Sequence, residues 1–455
     1  MTQGNLLSII LILAGIALGA WVGSFLPRAP GPEAIEAPPI RVTRPQLPAD
    51  YNVPVTEHSA PRAALLEYVD VVLLVVALSA AAYLALKKRS RPRIFVLMIL
   101  CLIYFGFIRG GCVCPIGAIQ HVAAALFQGT WALPLTVLAF FLLPLAFALV
   151  FGRVFCAAVC PLGAVQDIVL LRPVKVPMWL EHGLGLLAYV YLGLAVLFAA
   201  TGAGYIICLY DPFVALFRLS GNSQMFVLGG SFLVIAMFVG RPYCRYLCPF
   251  GVLLRLGAKV SEQHATITPD ECIQCRLCED ACPFNAITKP TESGAVPRST
   301  GKVRLALLLG AFPLIIGAGA WLGYHSSGPL STGHPTVRHA EAVQAARAER
   351  IRMTEQEAFR AEAYSKTKRP AAQLYAKAKA IQGQFRLGGT LLGAWVGLVI
   401  GAKLLALSVR RTRTDYEAEP GQCLACGRCF AHCPREHLRL RTLRGETPPK
   451  ETETP

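Results

Sequence analysis

Two stretches, CIQCRLCEDACP at 272–283 and CLACGRCFAHCP at 423–434, both follow C-x2-C-x2-C-x3-C-P. That is the spacing of bacterial ferredoxins. Three thiolates on one tight turn can grip three irons of a cubane. The fourth, fixed by the Pro that follows it, turns away and in two-cluster ferredoxins serves the other cluster. Cys272, Cys275 and Cys278 are therefore expected to share a [4Fe-4S] cluster with Cys433. Cys423, Cys426 and Cys429 are expected to share another with Cys282. Two alternatives stay open. Each string could hold its own cluster with its own four cysteines, or the thiolates could take zinc, whose sites usually come as two separated C-x2-C pairs.

A second phrase, C-x3-C-P-x-G, also occurs twice, as FCAAVCPLG at 155–163 and YCRYLCPFG at 243–251, each just past an apolar run. A Pro stops the preceding helix and a Gly permits a close turn, which aims two thiols at one point. Four soft thiolates, Cys156, Cys160, Cys244 and Cys248, suit a further iron–sulfur cluster. The repeat extends to GGCVCPIGAIQ (110–120) and YIICLYDPFVALFR (205–218), where Asp211 falls opposite Cys114 when the prolines are aligned. Cys112, Cys114 and Cys208, with Asp211, are the candidates for a second site near the opposite face, since an acidic residue close to a membrane is a functional candidate. The plain alternative makes Asp211 an Asx turn before Pro212. Cys101, in the middle of an apolar run, is expected to be packing.

On GRVFCAAVCPLGAVQD, GRPYCRYLCPFGVLLRL and the two ferredoxin strings, the chain resembles the membrane polyferredoxins of the NosR/NirI/NapH type. The resemblance covers roughly 94–290 and 389–434. It implies transfer of electrons between the membrane or cytoplasm and a periplasmic acceptor, in support of nitrous oxide or nitrate reduction. Some such proteins carry a periplasmic FMN domain. Here linker 27–65 is too short to fold as one, so a flavin would have to sit on a separate subunit.

The elements that must position these residues follow from composition. The 455 residues are 54% hydrophobic and only 16% charged, the profile of a multi-span membrane protein. A span needs about 20 apolar residues. Eight stretches qualify: 6–26, 66–86, 94–110, 131–151, 183–203, 224–240, 303–323 and 389–408. The first has no basic n-region and no small-residue cleavage site, so it is expected to stay as an anchor. The net charge of +17 would suggest nucleic acid in a soluble protein. Here the basic residues flank spans, where they set orientation, and no nucleic-acid partner is expected.

KKRSRPR (87–93) and RRTR (410–413) place both termini and both ferredoxin strings in the cytoplasm. Loop 324–388 then lies outside despite eleven Lys/Arg against five Glu, because long loops translocate largely regardless of charge. Its segment 338–366 is expected to form an amphipathic helix on lipid headgroups or a partner. His121, His325, His334 and His339 scatter on the same side. No C-x-x-C-H, P-loop or Rossmann fingerprint is present.

The expected fold is an all-α polytopic membrane protein of about eight helices with a split cytoplasmic ferredoxin-like 2[4Fe-4S] module. Its parts are an anchor helix and linker (1–65), a core of two helix-pair repeats with Cys loops (66–260) and one ferredoxin half (261–302). A span (303–323), an outer helical loop (324–388) and a second span (389–408) separate that half from the other (409–455). The expected function is electron transfer in a prokaryotic inner membrane. It would use two [4Fe-4S] clusters and one or two further clusters, as a subunit rather than a stand-alone enzyme. The partners would be lipid, a cytoplasmic electron donor or acceptor, and a periplasmic or membrane redox protein such as a flavoprotein or multihaem protein. A copper-ion reductase serving metal assembly, or a redox-sensing membrane scaffold, are the alternatives.

Overall fold

A computed structural model describes residues 64–111, 114–128, 133–221, 223–267, 272–291, 298–348, 354–365, 370–409, 413–443 and 445. The first expected span, most of the linker and Cys112 lie outside the described residues. In hydrocarbon a backbone must satisfy its own polar groups, so apolar runs of this length fold as helices. Among the described residues five helices are long and apolar enough to cross a bilayer: Leu65–Lys87, Arg91–Ile108, Met178–Ala200, Val303–His325 and Ala371–Ser408. The expected spans 131–151 and 224–240 appear as shorter apolar helices, Leu135–Phe151 and Ser223–Ala236. Where the second ends, the 169–177 loop docks on it. The N–H groups of Leu171, Arg172 and Val174 donate to the carbonyls of Met237 and Phe238.

Helices Arg298–His325 and Ala371–Ser408 form a hairpin between the two ferredoxin strings. Lipid offers no hydrophobic drive between helices, so close backbone packing must hold them. Gly319 and Gly323 meet Gly389, Gly393 and Gly397, and a Cβ on Gly393 would stand 2.0 Å from the Gly319 carbonyl oxygen. The hairpin's other faces expose Leu307, Leu314, Trp321 and Leu322.

The expected helix over 338–366 is instead two, Pro335–Arg347 and Glu355–Ser365. A capping box starts the second: Thr354 Oγ1 accepts from Glu357 N–H at 3.3 Å, and Glu357 Oε2 accepts from Thr354 N–H at 2.9 Å. The apolar face of the first helix is already taken. Val337, Ala340 and Val343 pack on Ala371, Leu374 and Ala378. Two of the histidines have structural roles: His334 Nδ1 accepts from Thr336 N–H at 3.1 Å, and His325 packs edge-on against Trp321.

The ferredoxin halves meet as a two-stranded antiparallel ladder. Strand β1 (Ile287–Thr288) pairs with β2 (Glu417–Ala418), with Ile287 opposite Ala418 and Thr288 opposite Glu417. The two transmembrane-length helices of the hairpin thus return the chain to the module it left.

Candidate iron-sulfur sites

Each ferredoxin string keeps three cysteines on its own turn, and the ladder brings the fourth from the other string. Cys272, Cys275, Cys278 and Cys433 line one cavity of about 460 Å³. Burial is the main cause that pushes the Cys278 thiol up to about 11; the neighbouring thiols of Cys272, Cys275 and Cys433 add to it, against the lowering pull of Glu279 N–H. On the other side, Cys429 lies within electrostatic reach of Cys423, Cys426 and Cys282. Cys282 and Cys426 share a buried cluster with Phe284 and Leu424. The placement is the exchanged one: the last cysteine of each string stands with the first three of the other. Among the described residues no three His, Cys, Asp or Glu side chains converge as they would on a single ion.

The two C-x3-C-P-x-G loops also converge. Cys156, Cys160, Cys244 and Cys248 line a narrow buried space with Phe155, Gly163, Phe250 and Gly251. The phrase has a local logic. Cys160 is the N-cap of helix Pro161–Ile168, and Cys248 that of Pro249–Lys259, with Pro at the first helical position in both. Cys248 Sγ accepts from Gly251 N–H at 3.3 Å, whereas Cys160 makes no side-chain capping hydrogen bond and only lies within electrostatic reach of Gly163 N–H. A thiolate at a helix N-terminus is favoured by the exposed N–H groups and the helix dipole.

The third and fourth loops repeat the device. Cys114 precedes helix Pro115–Gln128 and accepts from Gly117 and Ile116 N–H. Asp211 takes the corresponding place before Pro212, with Oδ1 accepting from Phe213 N–H at 2.9 Å. Cys114 lies within electrostatic reach of both Asp211 and Cys208. Asp211 is buried and Cys208 exposed. The sequence suggests opposite faces for this set and the Cys156 set, and in the structure the two sets lie within electrostatic reach of a common side chain. Ile116, two residues after Cys114, lines the Cys156 space, and Tyr243 feels Asp211, Cys248 and Cys114 together.

Several site residues carried no recognised signal in the sequence. Gln166 Nε2 donates to Cys244 Sγ at 3.4 Å while its Oε1 accepts from Tyr243 N–H at 3.1 Å. Gln120 does the same one site over, donating to Cys208 Sγ at 3.4 Å and accepting from Ile207 N–H at 2.8 Å. Both stand six residues after the capping cysteine, in CPLGAVQ and CPIGAIQ. That matched offset was the available signal. Arginines are the other omission. Arg89 and Arg91, part of the basic cluster used for orientation, are drawn inward. Arg89 pairs with the fully buried Glu436 at 2.5 Å and donates to the Thr266 and Ile267 carbonyls. Arg91 pairs with Asp167 at 2.7 Å and donates to the Cys426 carbonyl at 3.0 Å.

Asp167 is a hub. It also meets Arg241 at 3.3 Å and Arg428 at 3.4 Å. It thereby joins an apolar helix, a C-x3-C-P loop and the second ferredoxin string. Arg245 Nη1 donates to the Pro283 carbonyl at 3.1 Å, next to Cys282. Gly240 must lack a side chain there, since a Cβ would stand 2.8 Å from the Pro283 carbonyl oxygen. The ferredoxin module is thus seated directly on the Cys156 set, and Cys156 itself packs on the cluster of Cys282 and Cys426. Cys101 is buried in the core as packing.

Comparison with known proteins points to iron–sulfur binding. A 4Fe-4S binding domain model matches three times, over 91–134, 133–178 and 225–267. Each match contains one of the cysteine loops outside the ferredoxin strings. A second 4Fe-4S binding domain model matches 265–288, the first ferredoxin string. The uncharacterized protein MJ0749 of Methanocaldococcus jannaschii is 36% identical over 67 residues, 15% of this chain and 27% of that protein. The chain thus spans about a quarter of that relative's length. The uncharacterized protein MJ0750 of the same organism is 30% identical over 202 residues, 44% of this chain and 82% of that protein. No solved structure matches. Repeated 4Fe-4S domains imply iron–sulfur electron transfer, and the chain belongs to the same family as the MJ0750 protein.

Proposed function

We propose that the chain is an inner-membrane electron-transfer protein linking a cytoplasmic ferredoxin module to a redox partner on the periplasmic side. The carrying observation is the order of the thiol sets. Cys278 and Cys433 share a packed cluster with Cys423 and Cys429. Cys282 and Cys426 share one with Cys156. Tyr243 and Tyr191 each lie within electrostatic reach of Cys248 and Asp211. Four sets therefore follow one another from the module into the apolar core. A bilayer of about 30 Å is too thick for one efficient tunnelling step, so a row of sites is what such transfer requires.

The donor set fits iron–sulfur clusters: soft thiols in fours, capped by N–H groups and surrounded by buried arginines. Clusters bound there would supply one-electron carriage. The chain's own residues do the rest. The prolines end helices at the thiols, Gln120 and Gln166 hold the opposing loops, and the apolar walls keep water out. Cys114, Cys208 and Asp211, with Cys112, would form the outermost station. The doubled C-x3-C-P loops support a polyferredoxin of the NosR/NirI/NapH type. Any flavin would sit on a partner.

The exchanged ligands give a direct test. In the anaerobically purified full chain, Cys282→Ser is expected to disturb the same EPR signal as Cys426→Ser and to spare the signal lost in Cys275→Ser. A Cys282→Ser spectrum that matches Cys275→Ser instead would mean that each string serves its own cluster.

A further inference from the structure

Arg153 is a cation buried without a counter-charge. It is 3% exposed. Nη1 donates to the Gly421 carbonyl at 3.3 Å, Nη2 to Cys156 Sγ at 3.7 Å, and Nε has no partner. Among the described residues no carboxylate stands within ion-pair distance of it. Arg255, in electrostatic contact with it, is a cation as well. Arg241 occupies the same place in the repeated G-R-x-x-C phrase, at 240–244 against 152–156, but Asp167 neutralises it at 3.3 Å. The repeat therefore holds one compensated and one uncompensated arginine.

A buried charge is costly unless something opposite faces it. What faces Arg153 is sulfur from two different sets. It touches Cys156, and its charge acts on Cys244, Cys248 and Cys423. Gly421, its backbone partner, lies two residues before Cys423. A cubane on four thiolates is anionic and gains a further negative charge on reduction. A cation fixed between two such sites favours the reduced form of each.

Resting on the cluster reading above, we propose that Arg153 is the shared counter-ion of the Cys423 and Cys156 sites, and that its charge raises both reduction potentials together. The module and the apolar core would then exchange electrons without a large step in potential. Arg153 is a positioning residue: it ligates nothing and acts through its charge.

The test is an EPR-monitored redox titration of the full chain in detergent, with dithionite as reductant. Arg153→Gln is expected to keep wild-type iron and sulfide content and to move the two midpoints to lower potential, leaving the Cys272 signal in place. Arg153→Lys is expected to restore them. Unmoved midpoints in Arg153→Gln, or a shift in Arg153→Lys as large as in Arg153→Gln, would overturn the proposal. If Arg153→Gln empties the sites, Arg153→Lys decides. Iron restored with wild-type midpoints supports the charge role, and displaced midpoints or absent iron refute it. A wild-type protein lacking any signal that Cys160→Ser removes would instead sink the cluster reading itself.

Discussion

Replacing Cys160 by Ser is expected to remove about four iron atoms per chain, to abolish electron passage beyond the ferredoxin module, and to leave both ferredoxin EPR signals reducible. Cys160 is buried and caps helix Pro161–Ile168, with Cys156, Cys244 and Cys248 as its electrostatic neighbours. Serine is a favoured N-cap residue, and the thiol it replaces makes no side-chain capping hydrogen bond that would be lost. The helix should therefore stay where it is while the site loses a soft ligand. The ferredoxin sets share no ligand with it: they are Cys272, Cys275, Cys278 and Cys433, and Cys282, Cys423, Cys426 and Cys429. Iron analysis and EPR on the same preparation check the expectation. Unchanged iron content would leave a ferredoxin anchored to a membrane with no route through it.

A second large effect is expected at Asp167. Its carboxylate is 3% exposed and receives Arg91, Arg241 and Arg428. Asp167→Ala leaves three guanidinium groups in a space built for one anion. Breaking a buried ion pair from one side costs about 3–5 kcal/mol. Asp167→Asn should fail nearly as badly, since it keeps the shape and loses the charge. The measurable outcome is a lowered melting temperature. Protease sensitivity of the 413–443 segment should rise with it, because Arg428 ties that string to the core. An Asp167→Ala protein that melts with the wild type would show that the three arginines are held by other means.

The ferredoxin strings were legible because their chemistry is local: three cysteines and a proline fix a turn within a dozen residues. That the two strings meet was legible as well, since a helical hairpin of two apolar spans brings the chain back. The details of the seat were not. Arg89 and Arg91 sit in a basic run that composition alone assigns to a membrane surface. Only the fold shows Glu436 and Asp167 drawing them inward. That Ile116, two residues after Cys114, lines the Cys156 space was hidden for a related reason. Counting crossings gives the face on which a loop starts, and says nothing of how deeply a proline-led helix such as Pro115–Gln128 carries it back. Gln120 and Gln166 needed a comparison of offsets between repeats. The break within 338–366 was readable in T-E-Q-E, a capping box at 354–357, but the alanine-rich flanks masked it.

Electron passage across a sealed bilayer tests the relay most directly. The full chain is reconstituted in liposomes that enclose ferricyanide, dithionite is added outside, and loss of the trapped ferricyanide is followed by absorbance. The account predicts reduction well above protein-free vesicles for the wild type, and reduction at the protein-free rate for Cys160→Ser. A wild type that reduces trapped ferricyanide no faster than empty vesicles, while its ferredoxin signals are fully reduced, would contradict it.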